Sequence, residues 1–136
     1  MSEKLYIYEG TVRDFEIDCQ GIVNNATYVN YLEQCRNDFL RCLGIDFYEY
    51  HKKGYNLVVA GLNIKYRYPL KACDKFYVTA KISSVEHKRI FFEQSIYLKD
   101  SNKLIASATV TGACVDLDTD KACMPDFLIE LLIPGK

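Results

Sequence analysis

The segment DCQGIVNNATYVNYLEQCR, which begins at Asp18, concentrates polar groups directly before a helical pattern. Glu16 and Asp18 supply carboxylates, Gly21 allows a tight turn, and Asn24 and Asn25 follow. A helix start presents unpaired N–H groups and a partial positive charge, which suit an anion or a polarised carbonyl. A nearby carboxylate could activate water or attack an acyl carbon while these amides stabilise the oxyanion. The segment is equally typical of a capping loop with Asp18 in an Asx turn, so local chemistry leaves both interpretations open.

One long helix is predicted to follow this segment. Apolar residues recur every three or four positions, the period of an amphipathic helix, at Tyr28, Tyr31, Leu32, Cys35, Phe39, Cys42 and Leu43. Asn25 or Thr27 is predicted to cap the helix start, and Gly44 stands where helices commonly end. The polar groups would then lie at the amino end of this helix.

The other segments alternate apolar and polar residues, which predicts antiparallel strands joined by short polar turns. They are KLYIYEGTVR before the helix and LVVAGLNIKYRY, KFYVTAKISSV, RIFFEQSIYLKD and KLIASATVTGACVDL after it. In the second, one face is predicted to carry Val58, Ala60, Leu62, Ile64 and Tyr66. DFLIELLI is compatible with a short closing helix. A lone helix can bury its apolar stripe only against the sheet, so we predict a single α+β domain over residues 1–136, in the order β-α-β-β-β-β.

Composition excludes several classes of function. The chain is 49% hydrophobic and 26% charged, as is normal for a globular protein, and its net charge of −1 argues against a nucleic-acid partner. The amino end lacks the pattern of a secretory signal, and no apolar run is long enough for a membrane span, so we expect a cytoplasmic protein. Six cysteines without metal-finger spacing are expected to be mostly buried free thiols rather than a disulfide framework.

Other possible sites are weaker. His51 and His87 lie in polar settings without a second histidine at ligand spacing, which indicates surface residues. DLDTDK, from Asp116, resembles the opening of a calcium loop but lacks its glycine and final glutamate, so a polar hairpin turn is predicted. No nucleotide-binding or α/β-hydrolase motif occurs, and we predict neither a metal nor another cofactor. Lys88 and Arg89 could bind phosphate or simply be solvated.

The segment VRDFEIDCQGIVNNATYVNYLEQCRNDFLRCLGI resembles the signature of hotdog-fold acyl-CoA thioesterases of the 4-hydroxybenzoyl-CoA thioesterase and YbgC-like family. That signature has an acidic residue, D-x-x-G-x-V, a polar stretch, and a tyrosine opening the helix, with a glutamate and an arginine behind it. The matching residues are Asp18, Gly21, Val23, Tyr28, Glu33 and Arg36. YRYPLKACDKFYV is similar to a second family pattern and extends the resemblance over nearly the whole chain.

The resemblance implies hydrolysis of an acyl-CoA or acyl-carrier-protein thioester, in a homodimer or homotetramer with active sites at the subunit boundary. It implies that Asp18 is the catalytic nucleophile or base and that the backbone N–H of Asn25 polarises the thioester carbonyl. Gly21 would let the loop pass close to the substrate. Val23, Asn24 and Tyr28 would bind substrate in the pocket. We also assign Lys88 and Arg89 to substrate binding, as possible contacts to the phosphates of the carrier.

One departure from the family bears on this prediction. Many YbgC-like members carry histidine where this chain has Asn25, and the Asn-Asn pair looks closer to acyl-carrier-protein thioesterases. Two alternatives remain: a non-catalytic acyl-CoA sensor or binding protein, and a hotdog dehydratase acting on hydroxyacyl thioesters. The dehydratase would need a histidine beside the helix start, and His51 and His87 are distant from it in sequence.

Overall fold

The computed structural model describes residues 5–133, so the two ends of the predicted domain 1–136, and Lys4 of the first predicted strand, lie outside it. The elements in chain order are β1 Tyr6–Thr11, α1 Asn25–Cys42, α2 Phe47–Lys52, β2 Tyr55–Tyr66, β3 Lys75–Glu86, β4 Arg89–Leu98, β5 Lys103–Asp116, β6 Lys121–Cys123 and α3 Asp126–Leu132.

The strands form one antiparallel sheet in the order β1-β3-β4-β5-β2, and β6 extends it by pairing with β5. The predicted α+β class, the long helix, the four following strands and the closing helix are confirmed. The short elements α2 and β6 were not predicted. The first is capped by Asp46, whose side chain accepts a hydrogen bond from Glu49 N, and the second has only three residues.

The core lies between α1 and one face of the sheet. Tyr28, Tyr31, Leu32, Cys35 and Phe39 of the helix are buried, as their spacing predicted. They pack with inward-facing strand residues that include Phe76, Val78, Ala80, Ile96 and Ala106. Burial of this helical stripe is the main reason the segment folds as a helix, because hydrophobic contact contributes more than intrinsic propensity.

A polar connection crosses this core. Arg36 Nη1 donates to Gln94 Oε1 at 3.0 Å, and Gln94 Nε2 donates to the Leu32 carbonyl at 3.1 Å. Both side chains are buried, and this desolvation lowers the pKa of Arg36. Buried polar groups must find such partners, so the connection fixes the rotation of α1 on the sheet.

The prediction that most of the six cysteines are buried is wrong. Cys42, the last residue of α1, is exposed. Cys19 and Cys73 are also exposed, so only Cys35 and Cys114 are buried and Cys123 is partly buried. Cysteines in the loops before the helix and before β3 therefore do not follow the burial tendency of their residue type.

The predicted inward face of β2 is also wrong in part. Strict alternation would place Val58 and Leu62 on the same face of β2. A bulge between Val59 and Gly61 shifts the register, so these two residues do not share a face. Val58, Leu62 and Tyr66 are 43%, 41% and 47% exposed because β2 lies at the edge of the sheet.

Within residues 5–133, every helix is too short or too polar to cross a bilayer.

Candidate active site

Asp18 is held in a tight loop between a 3₁₀ turn and α1. Its Oδ1 accepts hydrogen bonds from Gln20 N at 2.8 Å and Ile22 N at 3.4 Å, which is an Asx turn. Gly21 has φ +83° and closes this turn, a conformation that a residue with a side chain adopts only with strain. Among residues 5–133, no hydrogen-bond donor reaches Oδ2 of Asp18. One carboxylate oxygen therefore shapes the loop, and the other is open.

Glu16 fastens the same loop to the helix. It is buried, and its Oε1 accepts hydrogen bonds from the Tyr31 hydroxyl at 2.7 Å and from Arg13 N at 2.8 Å. Burial, followed by this contact with Glu16, raises the pKa of Tyr31. A further backbone bond joins Asn24 N to the Glu16 carbonyl at 2.9 Å. Glu16 therefore makes hydrogen bonds within the loop and also connects the loop to α1.

The helix begins one residue earlier than predicted. Asn24, rather than Asn25 or Thr27, is the N-cap, and its side chain accepts a hydrogen bond from Ala26 N at 2.9 Å. Thr27 N donates to the Asn24 carbonyl at 2.9 Å. Within residues 5–133, no acceptor lies within hydrogen-bonding distance of Asn25 N. The adjacent asparagines thus differ in role, because one caps the helix and the other presents an open N–H at its positive end.

A cavity of about 420 Å³ lies beside this helix start. Its lining consists of Asp18, Gln20, Ile22, Val23, Asn25, Tyr28, Tyr66, Arg67, Tyr68 and Pro69. Asp18 and Asn25, which carry the open groups, therefore border the same space. Four predicted site residues, Asp18, Val23, Asn25 and Tyr28, are brought together here.

The end of β2 and the segment after it form another wall of the cavity. Tyr66 donates its hydroxyl proton to the Asn25 carbonyl at 2.9 Å, and its ring packs edge-on against Tyr28 at 5.4 Å. Leu70 N donates to the Tyr28 hydroxyl at 2.9 Å, and burial raises the pKa of Tyr28. Tyr66 and Pro69 belong to the second family pattern noted in the sequence, which is the signal that could have identified this wall.

Arg67 is a second site residue that the sequence analysis missed. It is exposed, lines this cavity, and makes no ion pair with any carboxylate in residues 5–133. A guanidinium in this position suits a phosphate group, which it can bind through two N–H donors. Nothing in the local sequence separates Arg67 from other strand-end cations.

The remaining predicted site residues do not line the cavity of this chain. Gly21 and Asn24 are exposed neighbours that shape the loop and cap the helix. Lys88 and Arg89 lie at the hairpin between β3 and β4. Arg89 pairs with Ala113, which pairs with Val58. This places the hairpin near the opposite end of β2 from the cavity.

The structure also locates the residues considered for other chemistry. His51 is exposed, with its Nδ1 2.8 Å from Asn56 Oδ1, and His87 is exposed in the β3–β4 hairpin, as predicted. Neither borders the cavity. Asp116 and its neighbours form the predicted polar turn, in which Asp118 N donates to Asp116 Oδ1 at 2.9 Å. Residues 5–133 contain no group of three or more potential metal ligands.

Comparison with known proteins agrees with this architecture. A family model described as the thioesterase-like superfamily matches residues 12–132. The chain belongs to the thioesterase-like superfamily. The family predicted from the sequence and its hotdog fold are thereby confirmed.

Two relatives and one crystal structure place the chain within this superfamily. It is 39% identical over 107 residues to the acyl-acyl carrier protein thioesterase ATL3, chloroplastic, of Arabidopsis thaliana, which covers 79% of this chain and 55% of the relative. It is 33% identical over 113 residues to the long-chain acyl-CoA thioesterase FadM of Escherichia coli strain K12, which covers 82% of this chain and 83% of the relative. The crystal structure of YbaW, a probable thioesterase from Escherichia coli, superposes with a TM-score of 0.82 at 30% identity, covering 93% of this chain and 96% of that one.

The comparisons differ in how much of each relative they include. The chain spans 55% and 56% of the two plant relatives that it matches, whereas it spans 83% of FadM. The matched part includes the loop, α1 and most of the sheet, since the family model covers residues 12–132. It thus contains the cavity described above.

Proposed function

We propose that the protein hydrolyses acyl thioesters to a free acid and a thiol in the cavity at the start of α1. One observation carries the proposal. Asp18 and Asn25 border the same cavity, and neither Oδ2 of Asp18 nor the backbone N–H of Asn25 has a protein partner within residues 5–133. A thioester carbonyl between them would meet a carboxylate on one side and a hydrogen-bond donor on the other.

The two groups divide the chemistry between them. Asp18 either attacks the carbonyl carbon to form an anhydride that water then hydrolyses, or takes a proton from water as that water attacks. In both routes negative charge develops on the carbonyl oxygen, and the Asn25 N–H and the helix dipole stabilise it. Since the side chain here is asparagine instead of histidine, water protonates the departing thiolate.

The carrier of the acyl group is CoA or acyl carrier protein. The named relatives include an acyl-CoA thioesterase and acyl-acyl carrier protein thioesterases. Both carriers attach the acyl group through a phosphate-bearing arm, and Arg67, an exposed residue of the cavity lining, supplies a cation that makes no ion pair within residues 5–133. Arg67 is therefore the residue that binds this phosphate.

A cytoplasmic location stays a prediction.

Two copies pair through the edge strand β2, which makes the protein a homodimer. Val59 is 52% exposed and continues the apolar edge formed by Val58, Leu62 and Tyr66. A long apolar edge strand is a template for pairing with another chain. Two-fold antiparallel pairing would set the Val58 end of one copy beside the Tyr66 end of the other. The predicted homotetramer would require a second interface.

This pairing gives Lys88 and Arg89 a place in substrate binding. Their hairpin lies near the Val58 end of β2, through the pairing of Arg89 with Ala113. In the dimer that end approaches the cavity of the other copy. The two cations would then reach the carrier of a thioester bound across the interface, as the predicted phosphate contact requires.

The two alternatives fit the cavity less well. A dehydratase needs a histidine working with an acid, and neither His51 nor His87 borders the cavity. A non-catalytic binding protein would have no use for a carboxylate oxygen left open beside an open amide. The dehydratase lacks its histidine and the binding protein gives the carboxylate no task, so hydrolysis accounts for more of the residues around this cavity.

The test is a panel of acyl-CoA and acyl-carrier-protein thioesters scored by release of free thiol. Turnover on one or more members is expected, with the preferred acyl group and carrier given by kcat/KM. Tight binding without thiol release would indicate the binding protein. Loss of the crotonyl-CoA enoyl absorbance without thiol release would indicate the dehydratase.

A further inference from the structure

Two thiols face each other at the end of the sheet that carries β6. Cys114 on β5 and Cys123 on β6 are direct cross-strand partners, and the Cys123 thiol donates a hydrogen bond to Cys114 Sγ at 3.4 Å. Cys114 is 1% exposed, whereas Cys123 is partly exposed. In residues 5–133 no other two cysteines are hydrogen-bonded to each other.

The backbone geometry around these thiols suits a covalent bond. Directly opposed residues in antiparallel strands have Cα atoms about 4.5–5.5 Å apart, within the range of about 4.4–6.8 Å found in disulfides. The sulfurs need to approach from 3.4 Å to roughly 2 Å, which rotation of the two side chains can supply.

We propose that Cys114 and Cys123 are a redox modification site that forms an intramolecular disulfide on exposure to a hydroperoxide. The sulfur of Cys123 attacks the peroxide and breaks its O–O bond, giving a sulfenic acid and one molecule of water or alcohol. Cys114 sulfur then attacks the Cys123 sulfur, the S–S bond forms, and the sulfenic oxygen leaves as water. Both thiols are oxidised, and the peroxide is reduced by two electrons.

Exposure decides the order of these steps. Cys123 can meet the oxidant, while Cys114 is enclosed by the sheet and protected from it. Burial, followed by the hydrogen bond from Cys123, raises the pKa of Cys114 to about 12. Few Cys114 side chains are thiolates at neutral pH, so the second step is slow there and accelerates as pH rises.

The bond would fix the carboxyl-terminal part of the structure without entering the cavity. β6 leads through Pro125 into α3, whose Leu128 is fully buried in the core. A bond from β6 to β5 would hold this connection in place. Neither cysteine borders the cavity at the start of α1, so the modification is independent of the proposed hydrolysis.

The test uses the full chain with the exposed thiols removed by Cys19→Ser, Cys42→Ser and Cys73→Ser. The folded protein is treated with hydrogen peroxide, free thiols are alkylated, and peptides are mapped by mass spectrometry. The expected product is a Cys114–Cys123 disulfide that dithiothreitol reverses. Cys35, which is buried and unpaired with another thiol, serves as the internal control and should stay reduced.

Single substitutions added to the triple-serine variant distinguish the cysteine that reacts with the peroxide, Cys123, from the cysteine that completes the disulfide, Cys114. With Cys114→Ser, Cys123 should accumulate as a sulfenic acid that dimedone traps. With Cys123→Ser, Cys114 should stay reduced. The proposal is overturned if Cys123 stays reduced in the folded parent, if it bonds to Cys35, or if only intermolecular disulfides form.

Discussion

The two sides of the loop before α1 differ in how their polar groups are used. On the buried side, both Glu16 oxygens have partners, including the hydroxyl of Tyr31 and the backbone of Arg13. On the cavity side, two residues later, Asp18 uses one oxygen for the Asx turn and leaves the other open. The same contrast separates Asn24, which caps the helix, from the open N–H of Asn25.

This difference shows how a short segment can serve both stability and chemistry. Satisfied polar groups on one side hold the loop against the helix, so the open groups on the other side keep fixed positions. Such positioning is needed for an oxyanion site, because donors that are already oriented need not reorganise during the reaction. Substitutions should therefore lower activity on one side and stability on the other.

Replacing Asp18 with asparagine should have the largest effect. The amide oxygen can still accept from Gln20 N and Ile22 N, so the loop is kept, but the neutral group is a poor base and nucleophile. We expect kcat to fall at least ~100-fold, the scale of a positioned acid–base group. Thiol release measures activity, and thermal unfolding should show little change. Asp14→Asn, an exposed change in the same loop, is the control. Retention of most activity in Asp18→Asn would exclude the assigned role.

Replacing Asn25 with proline should remove the oxyanion donor and leave the helix intact. Proline is favoured at the first helical position, and Asn24, with φ −58° and ψ 137°, already has the extended conformation required before proline. We expect kcat to fall about 100-fold, as for the loss of one oxyanion donor. Asn25→Ala keeps the backbone N–H and should retain most activity. Equal losses in both variants would assign the function to the side chain.

The sequence predicted those features of the fold and the site whose pattern is compatible with only one structure. The period of α1 and the alternation of the strands gave the fold, because burying an apolar stripe or face has few solutions. The local sequence could not decide between Asn24 and Asn25 as cap, since both side chains suit that position. The bulge in β2 and the position of Arg67 depend on neighbouring strands, which the local sequence does not encode.

On the buried side of the loop, replacing Glu16 with alanine should lower stability. The Tyr31 hydroxyl and Arg13 N would lose their acceptor, and the loss of one partner from a buried polar contact costs about 2–3 kcal/mol. Urea unfolding measures this loss. Glu16→Gln keeps one acceptor oxygen and should lose less. Activity per folded molecule should keep its order of magnitude in both variants. A loss of activity as large as that of Asp18→Asn would show that Glu16 and Asp18 do not differ in role.

The smallest effect is expected from Tyr31→Phe and depends on pH. Burial and the contact with Glu16 raise the pKa of Tyr31 in the folded state above its unfolded value. The unfolded chain therefore loses this proton first, and the stability contributed by the tyrosine is complete below pH ~10 and declines above it. At neutral pH the variant should be about 1–2 kcal/mol less stable, since it lacks the hydrogen bond to the carboxylate. Between pH 9 and pH 11 this difference should shrink by about 1.4 kcal/mol, as measured by urea unfolding at each pH. A difference that stays constant over this range would mean that the folded and unfolded states ionise Tyr31 alike, and that its hydroxyl is not held by Glu16.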